Sequence, residues 1–219
     1  MASFTVENYL KTIFQLSLKA ENGASTNAIS EALGTKAATV SDMLKKLDAQ
    51  ELITYKKYQA VKLTNAGRDI AVNIIRKHRL WEVFLVEKLD FKWDEVHDLA
   101  EELEHIDSAE LVNRLEGFLN NPKFDPHGDP IPDRDGNIHR LNQSPLTELK
   151  SGESGYVTGV KDSSREFLQF LDAQNIHLGN KIEIVEIFEY DKSRTVITGG
   201  KTLSLSNQVC KNLYVKTEN

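Results

Sequence analysis

Apolar residues recur at helical spacing near the start of the chain and predict three successive helices. The apolar residues of the first helix are Phe4, Tyr9, Leu10, Ile13, Phe14, Leu16 and Leu18. A short second helix is predicted to begin after Ser25 and Thr26, two capping residues, and to end at Gly34. The third helix is predicted from Thr35 to Asp48. Short helices in this succession are typical of a small helical module.

The segment LITYKKYQAVKLT, residues 52–64, predicts two strands joined by a tight basic turn at Lys56 and Lys57. Helices followed by a β-hairpin are the order of a winged helix-turn-helix, in which a recognition helix enters the major groove of DNA. The outward residues of the third helix are small or polar and allow close approach. The predicted DNA-binding residues are Thr35, Lys36, Ala37, Ala38, Thr39, Ser41 and Lys45, with Lys56 and Lys57 at the wing. The alternative is a helical bundle with a solubilising hairpin.

The next segment, about residues 74–121, is predicted to be helical and acidic. Its helices are predicted at Gly67–Leu89, Asp94–His105 and Ser108–Leu119. Their apolar residues exceed what so small a unit buries alone, which predicts burial against a second copy in a homodimer. These apolar residues are Leu80, Trp81, Phe84, Leu85, Leu99 and Leu103.

All five prolines lie between residues 122 and 145, which predicts an ordered loop or linker. The remaining chain carries the strand-like runs YVTGV, KIEIVEIF, TVITGG, KTLSLS and NLYVK. One helix is predicted among them at Ser164–Asp172. Short strands at close spacing predict a small β-barrel.

Charge is distributed unevenly along the 219 residues. The net charge of −6 by itself argues against a nucleic-acid binder, but residues 36–68 hold seven basic and three acidic side chains. Residues 1–75 sum to +2 and residues 76–219 to −8. A basic N-terminal segment followed by an acidic remainder of the chain favours a DNA contact confined to the first module. A solvated basic face is the alternative.

Cysteine content and hydropathy restrict the class of protein further. One cysteine, Cys210, excludes an internal disulfide framework and fits a reducing cytoplasm. The N-terminus is unlike a secretory signal, and no apolar run approaches the length of a membrane span. A cytoplasmic protein is therefore expected.

Two acidic helices carry histidine and glutamate at turn spacing, which would place them on one face of each helix. These residues are His97, Glu101, Glu104 and His105 on one helix, and His78 and Glu82 on the preceding helix. Carboxylates beside imidazoles lose solvation and repel unless a positive charge lies among them. Mixed oxygen and nitrogen ligands suit Mn²⁺, Fe²⁺ or Zn²⁺. A solvated acid-rich face is the alternative.

An ordered run of motifs along nearly the whole chain resembles the diphtheria toxin repressor family of metal-dependent bacterial transcriptional repressors. The motifs are ENYLKTIF, LGTKAATVSDMLKKLDAQELI, LTNAGRDIA, RKHRLWEVFL, VHDLAEELEH, PHGDPIP and SPLTELKSGESGYVTGV. The resemblance implies a winged helix-turn-helix, a helical dimerisation and metal-binding domain, and a C-terminal SH3-like domain of the ferrous-iron-transport A type. The predicted fold class is α+β multidomain, with these domains over residues 1–73, 74–140 and 146–219, the second including the proline-rich linker.

The resemblance implies a regulatory metal site at Glu101, Glu104 and His105, with a further ligand position on the first helix at Asn8. Glutamate at position 101, where other members have cysteine, is similar to the manganese-responsive branch. Asn8 stands where the family commonly has Asp or Met, and its neutral amide carbonyl is a poorer ligand than a carboxylate. Lys11 stands where some manganese regulators place a second acid, which argues against a binuclear site.

The resemblance also implies a second, ancillary metal site. Its implied ligands are His78, Glu82 and His97. The C-terminal domain sometimes completes this site in the family, and Asp162 and Glu166 are the available donors. One branch also uses a residue two before the histidine of the PHG turn, which corresponds to Asp125 and His127. For these two, the alternative is a turn with a capping Asp and a solvated His.

These observations predict a repressor of metal-homeostasis genes that binds a double-stranded DNA operator as a homodimer. Mn²⁺ or Fe²⁺ is expected to activate it, with Zn²⁺ and Co²⁺ as further ions in vitro; no membrane partner or small-molecule substrate is expected. One alternative is a metal-independent winged-helix repressor that senses a small molecule. The catalytic alternative is a di-iron enzyme, since Glu102 and His105 form a Glu-x-x-His pair, although a ferritin-like bundle needs two such pairs.

Overall fold

The computed structural model of the chain describes residues 3–19, 23–57, 59–139 and 142–217. The predicted domain ends at Met1, Arg140 and Asn219 lie outside these residues. The helices are α1 (Phe4–Lys19), α2 (Thr26–Ala32), α3 (Ala37–Ala49), α4 (Asn65–Leu89), α5 (His97–Leu103), α6 (Ala109–Phe118), α7 (Arg165–Ala173) and α8 (Asn207–Asn212). The strands are β1 (Ile53–Thr54), β2 (Lys62–Leu63), β3 (Ser144–Pro145), β4 (Ser154–Val160), β5 (Lys181–Ile187), β6 (Arg194–Thr198), β7 (Lys201–Leu205) and β8 (Leu213–Thr217).

The chain divides into two compact units. The first unit is formed by residues 1–78, 102–109 and 132–138, and the second by residues 79–101, 110–131 and 139–219. α4 contributes its N-terminal part to the first unit and its C-terminal part to the second. The two candidate ligand clusters described below each lie within one unit.

The first unit contains the predicted helix-turn-helix. Ser25 caps α2, because its side chain accepts a hydrogen bond from the backbone N–H of Ala28. α3 begins at Ala37, two residues later than predicted, after Lys36 as its cap residue. The core shared by the first three helices includes Tyr9, Leu10, Ile13, Phe14, Ile29, Val40, Leu44 and Leu47. Because this core is close-packed, a displacement of α1 is transmitted to α3.

The wing has shorter strands than the sequence predicted. β1 and β2 contain two residues each and pair antiparallel. Val61, which the pattern assigned to the second strand, bridges Ala24 instead and exchanges backbone hydrogen bonds of 2.8 and 3.1 Å with it. Lys56 and Lys57 lie exposed, and the backbone N–H of Gln59 donates to the Lys56 carbonyl at 2.9 Å, as expected for the predicted turn. Tyr58, part of the predicted hairpin, lies outside the described residues.

The helices from α4 to α6 bury apolar residues that the sequence analysis assigned to a partner copy. All six of the residues named for that role are buried or half-buried within the chain itself. Leu80, for example, packs in one hydrophobic cluster with Val112, Leu115 and Ile131 of the same chain. That expectation was therefore wrong for the buried Leu80 and Leu85, and it stays a prediction for the other four, which are half-buried. Other apolar side chains are exposed on these helices; they are Leu89, Leu111 and Phe118.

The C-terminal part of the second unit is one antiparallel sheet. Its six strands lie in the order β3-β8-β4-β5-β6-β7. The β6–β7 hairpin pairs without interruption from Arg194↔Leu205 to Thr198↔Lys201. α7 packs Leu168 and Leu171 into the core of this sheet. A 3₁₀ helix at Leu146–Glu148 and the short helix α8 were not predicted, because so few residues carry no clear periodicity.

α5 ends earlier than the sequence pattern predicted. It spans His97–Leu103, whereas the prediction was Asp94–His105. The backbone N–H of Ile106 donates to the Leu103 carbonyl at 3.2 Å, so the chain turns directly after the helix. Glu104 and His105 lie in that turn, and the predicted stripe of four ligands on one helix face is wrong. Among the described helices, none combines the length and apolar character needed to cross a membrane.

Candidate metal centres and DNA-binding surface

The buried carboxylate of Glu104 lies at the centre of a polar cluster in the first unit. Its Oε2 accepts a hydrogen bond from Lys11 Nζ at 2.6 Å and lies 2.6 Å from Nδ1 of His78. The side chains of Lys11, His78 and Glu104 are 7%, 9% and 0% exposed, so all three are desolvated. Lys11 comes from α1 and His78 from α4. We call the set Glu7, Asn8, Lys11, His78, Glu104 and His105 the Glu104 cluster.

Two acceptor atoms of the Glu104 cluster are buried without a hydrogen-bond partner among the described residues. They are Oε1 of Glu104 and Oδ1 of Asn8. Nε2 of His105 lies 4.0 Å from the same Glu104 Oε1. An unsatisfied buried acceptor costs about 1–3 kcal/mol. Carboxylate oxygen, amide oxygen and imidazole nitrogen are donors for divalent cations, so the chemistry of these donors suits a metal ion.

Glu7, which the sequence analysis did not identify, orients His105. Its Oε2 lies 2.6 Å from Nδ1 of His105. Phe4 stacks on the imidazole, with the ring centroids 4.5 Å apart. A carboxylate on one ring nitrogen fixes the tautomer and leaves the other nitrogen for a metal, as is usual for metal-binding histidines. The available signal was position, because Glu7 precedes Asn8 and lies one helical turn before Lys11.

A second cluster, in the second unit, is formed by Glu82, His97, Asp125 and His127, and we call it the Glu82 cluster. Oε1 of Glu82 lies 3.7 Å from Nδ1 of His97 and 3.6 Å from Nδ1 of His127. The ligand atoms of Glu82, Asp125 and His127 all lie within 4.8 Å of one another, and the three residues are buried. Two carboxylates and an imidazole at this spacing suit one divalent cation.

Backbone contacts hold the loop that carries Asp125 and His127. Oδ1 of Asp125 accepts a hydrogen bond from the His127 backbone N–H at 2.9 Å. The His127 carbonyl accepts one from the N–H of Val160 on β4 at 3.0 Å. Gly128 has a φ of 88°, and a Cβ there would lie 2.1 Å from the Thr158 carbonyl oxygen. Only glycine permits this approach, so β4 positions the two ligands.

Burial and charge perturb both titratable groups of this loop. Burial raises the pKa of Asp125 to about 7, and the negative charge of Glu82 adds to the effect. Burial of the His127 imidazole opposes its protonation, but the hydrogen bond and charge of Glu82 outweigh this and raise the pKa of His127 to about 9. Nε2 of His127 lies 2.8 Å from the Trp93 carbonyl, which leaves Nδ1 towards Glu82. A proton on His127 therefore balances the negative charge of Glu82, and a bound metal ion could balance the same charge.

The predicted DNA-binding residues lie along α3 and the wing of the first unit. Lys36, Ala37, Ala38, Thr39, Lys45, Lys56 and Lys57 are exposed, and Thr35 and Ser41 are half-buried. The ammonium of Lys45 donates to Oδ1 of Asp42 at 2.9 Å, which leaves it at the surface. A groove of about 530 Å³ runs between α2, α3 and the wing, and its lining includes Ser25, Thr26, Asn27, Ser41, Lys45, Tyr55 and Lys57. The sequence analysis did not predict that α2 and Tyr55 line this groove, although the polar residues 25–27 are a signal for the part played by α2.

Three family models match this chain and together cover most of it. The model of the iron-dependent repressor N-terminal DNA-binding domain matches residues 1–61. The iron-dependent repressor metal-binding and dimerisation domain matches residues 64–133, and the FeoA domain matches residues 144–217. The iron-dependent repressor IdeR of Mycobacterium tuberculosis is 33% identical over 184 residues, which cover 73% of this chain and 79% of IdeR. The chain belongs to the iron-dependent repressor family.

Further relatives agree with this membership of the iron-dependent repressor family. The diphtheria toxin repressor of Corynebacterium diphtheriae is 28% identical over 227 residues, covering 97% of this chain and 96% of that protein. A solved structure of a manganese-dependent transcriptional repressor in complex with manganese has a TM-score of 0.89 and 33% identity, covering 97% and 100% of the two chains. The crystal structure of ScaR with bound Zn²⁺ has a TM-score of 0.79 and 29% identity, covering 97% and 99%. The resemblance and the predicted α+β multidomain fold are confirmed.

The family resemblance also implied Glu101, Asp162 and Glu166 as metal ligands. Glu101 is in the second unit, half-buried, with its carboxylate 3.7 Å from Nε2 of His97. Oδ1 of Asp162 accepts a hydrogen bond from the Ser164 N–H at 2.9 Å, just before α7. Glu166 is exposed in the first turn of α7. Within the part of the chain that the structure describes, neither Asp162 nor Glu166 joins a metal-ligating group.

Two hydrogen bonds that sequence reasoning missed connect α7 to the segment before α5. The indole Nε1 of Trp93 donates to Oδ1 of Asp172 at 3.0 Å. Nε2 of Gln169 donates to Oδ2 of the buried Asp94 at 2.7 Å. Together with the β4 contact, these bonds mean that the FeoA domain supports the residues around the Glu82 cluster.

Proposed function

We propose that this chain is a homodimeric DNA-binding repressor of metal-homeostasis genes and that Mn²⁺ or Fe²⁺ at the Glu104 cluster increases its affinity for the operator. The observation that carries the proposal is the pair of buried, unpartnered acceptors, Glu104 Oε1 and Asn8 Oδ1, together with Nε2 of His105. Oxygen and nitrogen donors without a thiolate suit Mn²⁺ and Fe²⁺, and Zn²⁺ or Co²⁺ binds the same donors in vitro. A similar structure is that of a manganese-dependent repressor with manganese.

The switch acts through α1. Asn8, Glu104 and His105 would hold a divalent cation, which would supply the positive charge that these buried donors lack. Asn8 would then tie α1 to this site, and the core that α1 shares with α2 and α3 would hold the recognition helix with it. Glu7 keeps the His105 imidazole in the required orientation. The DNA-competent arrangement gains population only by its higher affinity for the ion.

We assign a second metal site to the Glu82 cluster. Glu82, Asp125 and His127 supply buried ligand atoms within 4.8 Å of one another, and His97 lies 3.7 Å from Glu82 at the edge. His78, which the resemblance implied for the ancillary site, lies beside Glu104 in the first unit. Because β4 holds the His127 loop, occupancy of this site is expected to stabilise the FeoA domain.

DNA binding is assigned to α3 and the wing, with the second copy placing its recognition helix one helical turn of DNA away, about 34 Å. Lys36, Lys45, Lys56 and Lys57 contact phosphates, while the small residues of α3 approach base edges. The exposed Leu111 and Phe118 supply apolar surface for the second copy. The expected location of the repressor is the cytoplasm.

The alternatives fit the structure less well. A metal-independent repressor gives no role to the unpartnered buried acceptors of Asn8 and Glu104. A di-iron enzyme needs Glu102 and His105 on one helix, but α5 ends at Leu103 and Glu102 is exposed.

The decisive experiment measures DNA affinity with and without metal. Duplexes are selected from a random-sequence pool with the full chain and Mn²⁺, and binding is then measured by fluorescence anisotropy at one ionic strength in Mn²⁺ or in EDTA. The expected result is a metal-dependent increase in affinity of about 5–150-fold. Equal affinity in Mn²⁺ and EDTA, or failure of the selection, would overturn the proposal. Light scattering in parallel reports the dimer.

A further inference from the structure

Asp42 is an acidic side chain on the outward face of the recognition helix α3. The buried residues of α3 are Val40, Leu44 and Leu47, and the helical repeat places Asp42 on the opposite side of the helix. The Asp42 side chain is 71% exposed. The predicted DNA-binding residues do not include it, although it lies among them.

Lys45 offsets part of this negative charge. Its ammonium donates to Oδ1 of Asp42 at 2.9 Å, and the Lys45 side chain is itself 67% exposed. The hydrogen bond and the charge of Lys45 lower the pKa of Asp42, so its carboxyl group is ionised at neutral pH and only accepts hydrogen bonds. A carboxylate has about four acceptor positions, so the bond to Lys45 leaves capacity for a donor on DNA.

Few groups in the major groove of DNA can donate to a carboxylate. Guanine and thymine present acceptors there, and adenine presents the acceptor N7 beside its amino group. Cytosine presents the N4 amino group, which donates to the carboxylate of Asp or Glu. Ala38 lies exposed one turn before Asp42, and its small side chain allows the helix to approach the base edges. An acid at this position therefore favours cytosine over the other three bases.

We propose that Asp42 is a specificity-determining residue that accepts a hydrogen bond from the N4 amino group of one cytosine in each half-site of the operator. Lys45 orients the carboxylate and reduces its repulsion from the phosphates. This inference rests on the proposed binding of the operator through α3, and it names a base that the operator is expected to contain.

The proposal is tested by selecting duplexes from a random-sequence pool with the full chain in Mn²⁺, using the wild type, Asp42→Ala and Asp42→Asn. The wild type is expected to enrich a half-site with a cytosine that Asp42→Ala no longer prefers over other bases. Asp42→Asn is expected to enrich adenine at the same position, because an amide pairs with N6 and N7 of adenine. Asp69→Ala, exposed on α4, is the matched control for loss of an acid and should keep the wild-type preference.

Anisotropy titrations give the size of the effect. Exchange of the cytosine–guanine pair is expected to weaken wild-type binding by about 5–150-fold and to leave binding by Asp42→Ala nearly unchanged. Lys45→Ala is expected to weaken binding to all duplexes but to keep the cytosine preference, which separates base recognition from the charge pair. Asp42→Ala should bind a duplex without the selected site more tightly than the wild type, since it lacks a charge that phosphates repel.

The outcomes distinguish failure of this inference from failure of the proposed function. Enrichment of the same bases by the wild type and both Asp42 variants would overturn the inference and leave the proposed function standing. A position that depends on Asp42 but prefers a base other than cytosine, or loss of all DNA binding in Asp42→Ala, would also overturn it. A wild type that enriches no sequence in Mn²⁺ would overturn the proposed function and the inference together.

Discussion

The Glu104 and Glu82 clusters use the same donor types but balance their carboxylates in different ways. In the Glu104 cluster, a lysine ammonium lies 2.6 Å from the carboxylate. In the Glu82 cluster, Oε1 of Glu82 lies 3.6 Å from the imidazole of His127 and 3.7 Å from that of His97. The imidazole proton can be exchanged for a metal ion or lost as the pH rises. The two clusters therefore differ in the group that faces the central carboxylate, and the charge of the Glu82 cluster is expected to depend on pH.

The largest effect is expected from Glu104→Gln, which removes the charge of the Glu104 cluster but leaves an acceptor for Lys11. Metal-stimulated affinity for the selected duplex should fall by about 100-fold, to the level seen in EDTA. Anisotropy titrations in Mn²⁺ measure it. The matched control is Glu102→Gln, an exposed neighbour, which should keep the stimulation. Full stimulation in Glu104→Gln would mean that the switch lies elsewhere.

Glu82→Gln should weaken Mn²⁺ binding at the Glu82 cluster by at least about 10–100-fold, the range seen when only a hydrogen-bond partner of a metal ligand is lost. It should also lower the pKa of His127 from about 9, because the hydrogen bond and charge of Glu82 hold it there. Calorimetry gives the affinity, and NMR titration of the imidazole gives the pKa. Glu87→Gln, exposed on the same helix, is the control. A His127 pKa unchanged by Glu82→Gln would contradict the assigned pairing.

Mn²⁺ affinity at the Glu82 cluster should increase from pH 7 to pH 9. The ion must displace a proton from His127, whose pKa is raised to about 9, so each pH unit below that value costs up to about tenfold in affinity. Calorimetry in buffers of different ionisation enthalpy should show proton release at pH 7. Binding without proton release at that pH would refute the assignment of His127 as a ligand.

The metal-free protein should show the opposite pH trend in stability. Protonated His127 contributes stability that is complete below its unfolded pKa near 6.5 and is lost as pH rises through about 9. Asp125 acts in the same direction at lower pH, because its raised pKa favours the protonated folded form up to about 7. Urea unfolding in EDTA between pH 5 and 9 measures the trend. A free energy of unfolding that rises across this range would contradict it.

The smallest effects are expected at the DNA-binding surface. Lys45→Ala and Lys57→Ala should each reduce the slope of log affinity against log salt by about 1 and weaken binding similarly for all sequences. Lys150→Ala, exposed in the second unit, is the control. Salt titrations of the anisotropy measure the slope. An unchanged slope in both variants would exclude these lysines as phosphate contacts.

Local patterns predicted the helices well because their signals are local. The Ser25 cap and the apolar periodicity of α1 and α3 act over a few residues, and the structure contains both features. The end of α5 was missed, because acidic helix-forming residues continue past Leu103 into the turn. The length of the wing strands was overestimated because Val61 pairs with Ala24, a distant residue that no local pattern identifies.

By itself, the sequence determined the order of the domains, the basic N-terminal segment and the kinds of metal-ligand donor available, since these follow from periodicity, charge and residue type. The tertiary structure decided which donors meet. Lys11 reaches Glu104 across 93 residues and His105 meets Glu7 across 98, pairings that depend on packing of separate elements. The direction of the His127 imidazole likewise depends on a backbone carbonyl 34 residues away. The charge balance of each metal centre is therefore a property of the fold, because a buried charge is costly unless the fold brings a partner to it.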